Sequence, residues 1–320
     1  VVSIDRRRKR VHSRSGVERP YDRLLIATGS QPLMLPVPGK DLPGVIGFRN
    51  LADVERMLEA AGAHRRAAVI GGGLLGIEAA NGLSRRGMQV HLVHRSGVLL
   101  DQQLDAHAAA LLGRSLAARG LHLHLHAHTV ALHGGARVEA LELADGRRIE
   151  AELVVMAVGI RPDIALAQSA GLHCERGIVV DDTLQTYDPA IYAVGECVQH
   201  RRATFGLVAP AWEQARVCAG HLARQGLRRY RTVETATKLK VTGIDLYSAG
   251  DILGGAGTED LVLRDPRRGV YKRLVLKDNR IVGAVLYGDV KDGGWYVELI
   301  RSGADVGAMR SRLLFGRGYC

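Results

Sequence analysis

The segment Val69-Ile70-Gly71-Gly72-Gly73-Leu74-Leu75-Gly76-Ile77-Glu78-Ala79-Ala80 decides how the rest of this 320-residue chain is read. Ala67 to Ile70 is an unbroken apolar run of strand length, Leu74 to Arg86 has helical spacing, and Gln89 to Val93 reads as a second strand. That is a βαβ unit. Gly71, Gly73 and Gly76 stand between its first strand and its helix in the order Gly-x-Gly-x-x-Gly. At that place glycines let the backbone turn sharply, so that a pyrophosphate can meet the helix N-terminus through Gly73, Leu74 and Leu75. A glycine-rich turn packed for structure alone would use the same residue type. At the end of the second strand an NAD site usually carries an acid for the ribose 2′-hydroxyl. Here His94 and Arg95 stand there instead. Arg95 has the chemistry to pair with a 2′-phosphate, so a nicotinamide dinucleotide is indicated, with NADH against NADPH left open. Two residues merely exposed at a strand end are the alternative.

On the N-terminal side, two short polar strands lead into the apolar strand Leu24 to Ala27, which ends in Thr28-Gly29-Ser30. Pro32, Pro36, Pro38 and Pro43 follow within twelve residues and exclude helix or central strand, which predicts a linker. Leu51, Val54, Met57, Leu58 and Ala61 recur at helical spacing. Past the βαβ unit the pattern predicts a helix over about 104–119 and strands at 121–127, 137–143 and 153–157. A βα-type segment is predicted over 178–196 and a helix over about 212–225. After Tyr230 the chain is strand-rich, at 238–241, 261–263, 270–276 and 281–287, and closes on a helix near 295–302.

Composition narrows the function classes. Apolar residues make up 47% and charged residues 24%, which argues against disorder and fibrous repeats. No apolar run approaches the ~20 residues of a membrane-spanning helix. With 39 glycines but only three Phe and two Trp, tight strand-to-helix turns are favoured over an aromatic platform for single-stranded nucleic acid. The formal charge of +11 suits an acidic protein partner or a polyanion, or reflects arginine usage alone, since the charges are scattered outside Arg6 to Arg10. Cys174, Cys197, Cys218 and Cys320 contain neither a CxxC pair nor metal-ligand spacing. Free thiols in a reducing, cytoplasmic setting are therefore expected, with no metal site. Leu121 to His128 alternates strictly and places four histidines on one face of a strand. At about 7 Å between same-face neighbours they do not share one metal without bending, so a polar edge is expected.

Three more segments extend the pattern: Leu24-Leu25-Ile26-Ala27-Thr28-Gly29-Ser30, Val154-Val155-Met156-Ala157-Val158-Gly159-Ile160-Arg161-Pro162 and Thr186-Tyr187-Asp188-Pro189-Ala190-Ile191-Tyr192-Ala193-Val194-Gly195-Glu196-Cys197. Their order around the glycine turn resembles the two-dinucleotide-domain flavoproteins of the pyridine nucleotide-disulfide oxidoreductase superfamily, in the branch of ferredoxin, rubredoxin and nitrite reductases. Gly206-Leu207-Val208-Ala209-Pro210, Thr237-Lys238-Leu239-Lys240-Val241-Thr242-Gly243-Ile244-Asp245 and Tyr271-Lys272-Arg273-Leu274 make the chain most similar to the FAD/NAD(P)-binding part of assimilatory NAD(P)H nitrite reductase large subunits.

The resemblance implies an α/β fold with an incomplete FAD domain (1–46 and 163–230), an inserted Rossmann-like NAD(P)H domain (47–162) and a C-terminal α+β interface domain (231–320). It implies FAD and NAD(P)H as cofactors. Thr28, Gly29, Gly195 and Glu196 would face the flavin, with Glu196 on the ribityl chain. Pro210, Ala211 and Trp212 would approach the flavin pyrimidine. Glu78 would lie near the nicotinamide as the one residue in a catalytic position, and Gly159 would contact the dinucleotide through its backbone. Hydride would pass from NAD(P)H to FAD. Electrons would continue to an iron–sulfur or sirohaem centre that reduces nitrite, the partner being that redox module or a small electron carrier. A homodimer is compatible with this reading. A stand-alone ferredoxin or rubredoxin reductase, and a non-catalytic dinucleotide-dependent nucleic-acid-binding protein, are the alternatives.

A first Gly-x-Gly-x-x-Gly for the FAD pyrophosphate does not occur in these residues, and Cys320 alone cannot supply four cluster ligands. The expectation is an internal piece or a truncated product. No CxxC stands ready to relay electrons as a disulfide.

Overall fold

The glycine turn follows a strand, Arg66–Ile70, that is the middle member of a five-stranded sheet. The strand order is Val45–Gly47, Leu153–Met156, Arg66–Ile70, Gln89–Val93 and His122–His124, and every pairing is parallel. Parallel sheets are covered on both faces, which is why Ala67, Ala68, Val69, Val90, Val154 and Val155 are all fully buried and the strands read as continuous apolar runs.

In the computed structural model, which describes residues 1–232, 237–241 and 243–320, the chain forms six α-helices among the described residues. They are α1 (Leu51–Ala63), α2 (Leu74–Arg85), α3 (Ala106–Ala117), α4 (Ala165–Ser169), α5 (Val208–Leu222) and α6 (Gly293–Ser302). Two starts are fixed by caps: Asn50 and Asp53 exchange side-chain bonds in a capping box at α1, and Asp105 accepts from Ala108 N–H at α3.

The chain divides into two compact units, Val1–Gln31 with Ile160–Val233, and Pro32–Gly159 with Glu234–Cys320. In the first, Leu24–Ile26 runs parallel to Ile191–Ala193, and Ile178–Val180 parallel to Val198–His200. Ile26, Ile178, Leu184, Ile191, Cys197 and Val198 form its core, with Val217 and Cys218 of α5.

In the second unit the parallel sheet is joined by a five-stranded antiparallel sheet, in the order Thr237–Val241, Ile244–Gly250, Arg280–Tyr287, Val270–Lys277 and Glu259–Asp265. Tyr296 and Val297 of α6 cover one side with Leu313. Leu246, Tyr271, Val285 and Tyr287 belong to the same apolar cluster as Leu112 and Leu116 of α3. Burying such a leucine stabilises by about 1.5–3 kcal/mol. Polar bonds seal that seam: Tyr271 Oη donates to Asp105 Oδ2 at 2.7 Å, Arg273 lies 3.6 Å from the same carboxylate, and the Tyr287 and Ser115 hydroxyls meet at 2.9 Å.

Several elements differ from the sequence expectation. The first strands number three, at Ser3–Asp5, Arg10–His12 and Glu18–Pro20. Residues 33–44 form no regular element, as the prolines require, yet Met34, Leu35, Val37 and Leu42 pack on the core under the parallel sheet, so this segment is a packed strap. Strands at Thr129–Gly134, Arg148–Glu150 and Ile244–Gly250 went unread because their apolar residues are few or their alternation is interrupted. No α-helix forms in 178–196, where Asp181 takes N–H groups from Thr183 and Gln185 and turns the chain back. Helix α5 begins at Val208, four residues earlier than predicted, because Pro210 is tolerated in a first turn whose N–H groups have no intrahelical partner.

The four-histidine strand also ends early, at His124. His126 takes φ of +51° in a turn, so the alternation stops there. His124 Nε2 lies 3.0 Å from His91 Nδ1 on the neighbouring strand, and His122 stacks on His91 at 4.8 Å. Among the described residues no group of three or more His, Cys, Asp or Glu is arranged to hold a metal ion. Thr242 of the similarity motif lies outside the described residues.

Candidate dinucleotide-binding sites

Each unit gathers its candidate residues at the carboxyl ends of parallel strands, where ligands of open α/β sheets bind. In the second unit Gly71 has φ of +124°, a conformation that L side chains rarely adopt. A Cβ on Gly76 would stand 1.9 Å from the Gly71 carbonyl oxygen, so only glycine lets α2 pack against the turn. Gly73 differs: it caps α2 with extended backbone, contributes no side-chain bond, and a Cβ there would meet nothing within 4 Å. The amides of Leu74, Leu75 and Gly76 thus open α2 beside free space. Gly159 has φ of +126° and equally open surroundings beyond the adjacent strand, whose Ala157 carbonyl lies against Gly71. This cradle fits a dinucleotide pyrophosphate, since its unpartnered donors and bare glycine leave room where the phosphates would approach.

Glu78 is exposed on α2, and no hydrogen bond or ion pair of its side chain occurs among the described residues. Arg95 is likewise exposed, with no side-chain hydrogen bond or ion pair among the described residues. His94 points elsewhere. Its Nδ1 accepts the Gly72 N–H at 3.0 Å and its Nε2 meets the Val98 carbonyl at 3.2 Å. Burial holds it below the ordinary histidine range, against a raising effect from Asp101.

In the first unit, Thr28-Gly29-Ser30 leaves the strand Leu24–Ile26 and Gly195-Glu196 leaves the strand Ile191–Ala193 paired to it. Ser30 Oγ donates to Glu196 Oε2 at 2.8 Å, and Thr28 Oγ1 donates to the Asp163 carbonyl at 2.6 Å. Gly195 has φ of +87° with no atom within 4 Å of a Cβ position. The Gly195 N–H is held by Gln214 Oε1 at 2.7 Å, from the buried face of α5. Pro210 and Ala211 lie in the opening turns of that helix, and Trp212 is 63% exposed there. An acid fixed by a hydroxyl beside an open glycine suits the hydroxyls of a flavin ribityl chain, and this half-site fits FAD in that respect. The thiol of Cys197 is buried under the same turn, donating to the Val194 carbonyl at 3.3 Å, and burial raises its pKa. It carries no thiolate chemistry in that state.

Sequence reasoning missed Gln214, Ser30 as the partner of Glu196, and Gly72 as the partner of His94. Gln214 shares a helical face with Val217 and Cys218, and a glutamine on an apolar stripe is the signal that could have found it.

A glycine turn in the parallel sheet of one unit and, in the other, a strand pair ending in an acid are the features of a nucleotide-dependent oxidoreductase. The chain belongs to the pyridine nucleotide-disulphide oxidoreductase family, whose model matches residues 1–238, and the rubredoxin NAD+ reductase C-terminal domain matches residues 236–304. It is 44% identical over 306 residues to the nitrite reductase [NAD(P)H] of Bacillus subtilis, covering 96% of this chain and 38% of that protein. It is 38% identical to the assimilatory nitrate reductase electron transfer subunit of the same organism, covering 98% of this chain and 41% of the relative. The chain thus spans about two fifths of the length of these relatives. Among solved structures, the NADH:rubredoxin oxidoreductase of Clostridium acetobutylicum matches with a TM-score of 0.78 at 26% identity, over 96% of this chain and 76% of that one. No helix among the described residues is long and apolar enough to cross a membrane.

Proposed function

We propose that this chain is the NAD(P)H-oxidising, FAD-binding part of an electron-transfer enzyme of the nitrite reductase type. Its NAD(P)H portion is residues 47–162 together with the strap and edge strand at 32–46 that pack on the same sheet, its FAD portion is 1–31 and 163–230, and its interface portion is 231–320. The observation that carries the reading is the cradle at Gly71, Gly73 and Gly76, where one glycine turns, one is bare and one admits the helix. Its relatives' names supply the chemistry around it: nitrite reductase, an electron transfer subunit, and a rubredoxin oxidoreductase.

FAD, when bound, supplies a hydride acceptor that releases electrons singly, and the protein supplies alignment and electrostatics. Gly73 and the first turn of α2 hold the dinucleotide pyrophosphate, and Gly159 offers its backbone alongside. Glu78, exposed on α2, orients the nicotinamide carboxamide. Arg95, exposed past the end of the second strand, accepts the adenosine ribose end and gives NADPH a counter-charge. Glu196, steadied by Ser30, binds the ribityl hydroxyls, with Thr28, Gly29 and Gly195 lining the approach. The opening turns of α5, with Pro210, Ala211 and Trp212, present positive helix-end charge to the flavin pyrimidine. The acceptor is an iron–sulfur or sirohaem centre, or a small carrier protein, and the setting is cytoplasmic.

The test uses the 320-residue chain and, in parallel, the whole product of its gene, each titrated with FAD and then with NADH or NADPH. The expected result is a yellow protein that oxidises the nucleotide with an artificial acceptor. A full-length product that neither retains flavin nor oxidises NAD(P)H would sink the assignment.

A further inference from the structure

The segment after the second parallel strand folds back onto the glycine turn and grips one residue of it. The Gly72 N–H donates to His94 Nδ1, and the Gly72 carbonyl accepts the Leu100 N–H at 2.9 Å. Both main-chain groups of Gly72 are therefore committed to residues 94–100. The fit is close: a Cβ at Gly72 would sit 2.6 Å from the His94 ring and 2.8 Å from Leu99. The ring is tied at its other end as well, since the Val98 carbonyl can only accept and so takes a hydrogen from Nε2. A neutral imidazole with its hydrogen on Nε2 satisfies both contacts. No other protonation state does.

We propose that His94 is a positioning residue for the dinucleotide: it fixes the Gly72 peptide so that Gly73 and the first turn of α2 face the pyrophosphate. The inference rests on the reading of this cradle as a nucleotide site. It also explains why the residue at a position suited to ribose recognition does not reach outward. The imidazole is spent on the turn, and the ribose end falls to Arg95.

Protonation would put a hydrogen on Nδ1, head to head with the Gly72 N–H. The charged groups acting on the ring are Asp101, which favours the cation, and Arg95, which opposes it. His124 offers only its main-chain carbonyl, to His94 N–H, and the His126 ring lies against Gly97. Burial outweighs Asp101 and keeps the ring neutral at neutral pH. In acid the grip opens and dinucleotide affinity falls.

The experiment measures ADP-ribose dissociation constants calorimetrically between pH 5 and 8, for wild type, His94→Leu and His94→Asn, with thermal melts run alongside. ADP-ribose needs no flavin and reports the cradle alone. Leucine strands the Gly72 N–H, and the expected loss at pH 7.5 is on the order of tenfold or more. Asparagine keeps an acceptor oxygen near the Nδ1 position, so it should bind within a few-fold of wild type at pH 7.5 and lack the wild-type decline in acid. Should His94→Leu not fold, the asparagine profile decides alone. Wild-type affinity in His94→Leu, or an acid decline in His94→Asn equal to that of wild type, overturns the proposal. A wild-type protein that binds no ADP-ribose overturns the nucleotide reading itself.

Discussion

Replacing Gly76 with alanine tests whether the packing of α2 against the glycine turn is what shapes the nucleotide cradle. Away from its surroundings the change would be favourable, because alanine gains about 1 kcal/mol over glycine inside a helix. In this fold the added Cβ stands 1.9 Å from the Gly71 oxygen and 2.9 Å from its carbonyl carbon. The oxygen must retreat by about 1.4 Å to reach the ~3.3 Å that a carbon–oxygen contact tolerates. Gly71 has little room to yield, since its N–H is bonded to the Val93 carbonyl at 2.8 Å and its other side faces Ala157. Overpacking of this kind costs about 1–3 kcal/mol, so the net change lies between neutral and about 2 kcal/mol of lost stability. For a unit of this size that lowers the melting temperature by at most about 4–8 °C. Binding suffers more, since a displaced turn misplaces the amides that face the pyrophosphate, and losing one charge-assisted bond of about 1.5–3 kcal/mol weakens affinity on the order of ten- to a hundredfold. Calorimetric titration with NAD+ and NADP+, paired with a thermal melt, reads both quantities. A Gly76→Ala protein that binds either nucleotide within twofold of wild type would refute the role assigned to this contact.

Gly73→Ala is the complement: its Cβ meets no protein atom and φ is −82°, so stability should drop by only about 0.5–1 kcal/mol through the poorer cap while nucleotide affinity falls, and an unchanged affinity would place the dinucleotide elsewhere. Glu196→Ala should leave the fold intact and weaken FAD retention roughly tenfold or more, read from the flavin absorbance after gel filtration of the full gene product. Tyr271→Phe removes the bond to Asp105 at the seam of the second unit, and denaturant unfolding should show a loss of about 1.5–3 kcal/mol. His91, pushed down to about 4, and His94 and His124, also lowered by burial, stay neutral in the folded chain. The unfolded chain therefore binds more protons below the ordinary value of about 6.5, so stability is full above that pH and declines toward about pH 4. His91→Phe should flatten part of that decline in urea titrations at pH 7.5, 6 and 5, and equal slopes would count against it.

What could be read in advance followed from strong local periodicity. Residues 66–93 were legible because a parallel strand is apolar throughout and the helix beside it is amphipathic, so two distinct periods meet at the glycines. The C-terminal hairpins were legible for the same reason, except Ile244–Gly250, whose Asp245, Ser248 and Gly250 obscure the alternation. Residues 178–196 were misread because the hydrogen bonds that turn this segment, centred on Asp181, come from side chains rather than from a pattern. At the candidate sites the glycines and Glu196 could be picked out by type and place. The direction in which His94 points could not, since an imidazole at a strand end is equally suited to a ligand, to solvent or to a backbone amide. Only the return of residues 94–100 over Gly72 settles which partner it takes.

The seam between the two sheets of the second unit has a practical result for anyone dividing this protein. Leu112 and Leu116 lie in one apolar cluster with Tyr271, Val285 and Tyr287, so a cut made between the sheets would expose both halves of a single interior. The two halves should melt in one transition and precipitate when expressed apart, and any graft of a new docking module onto this scaffold has to carry α3 along with it.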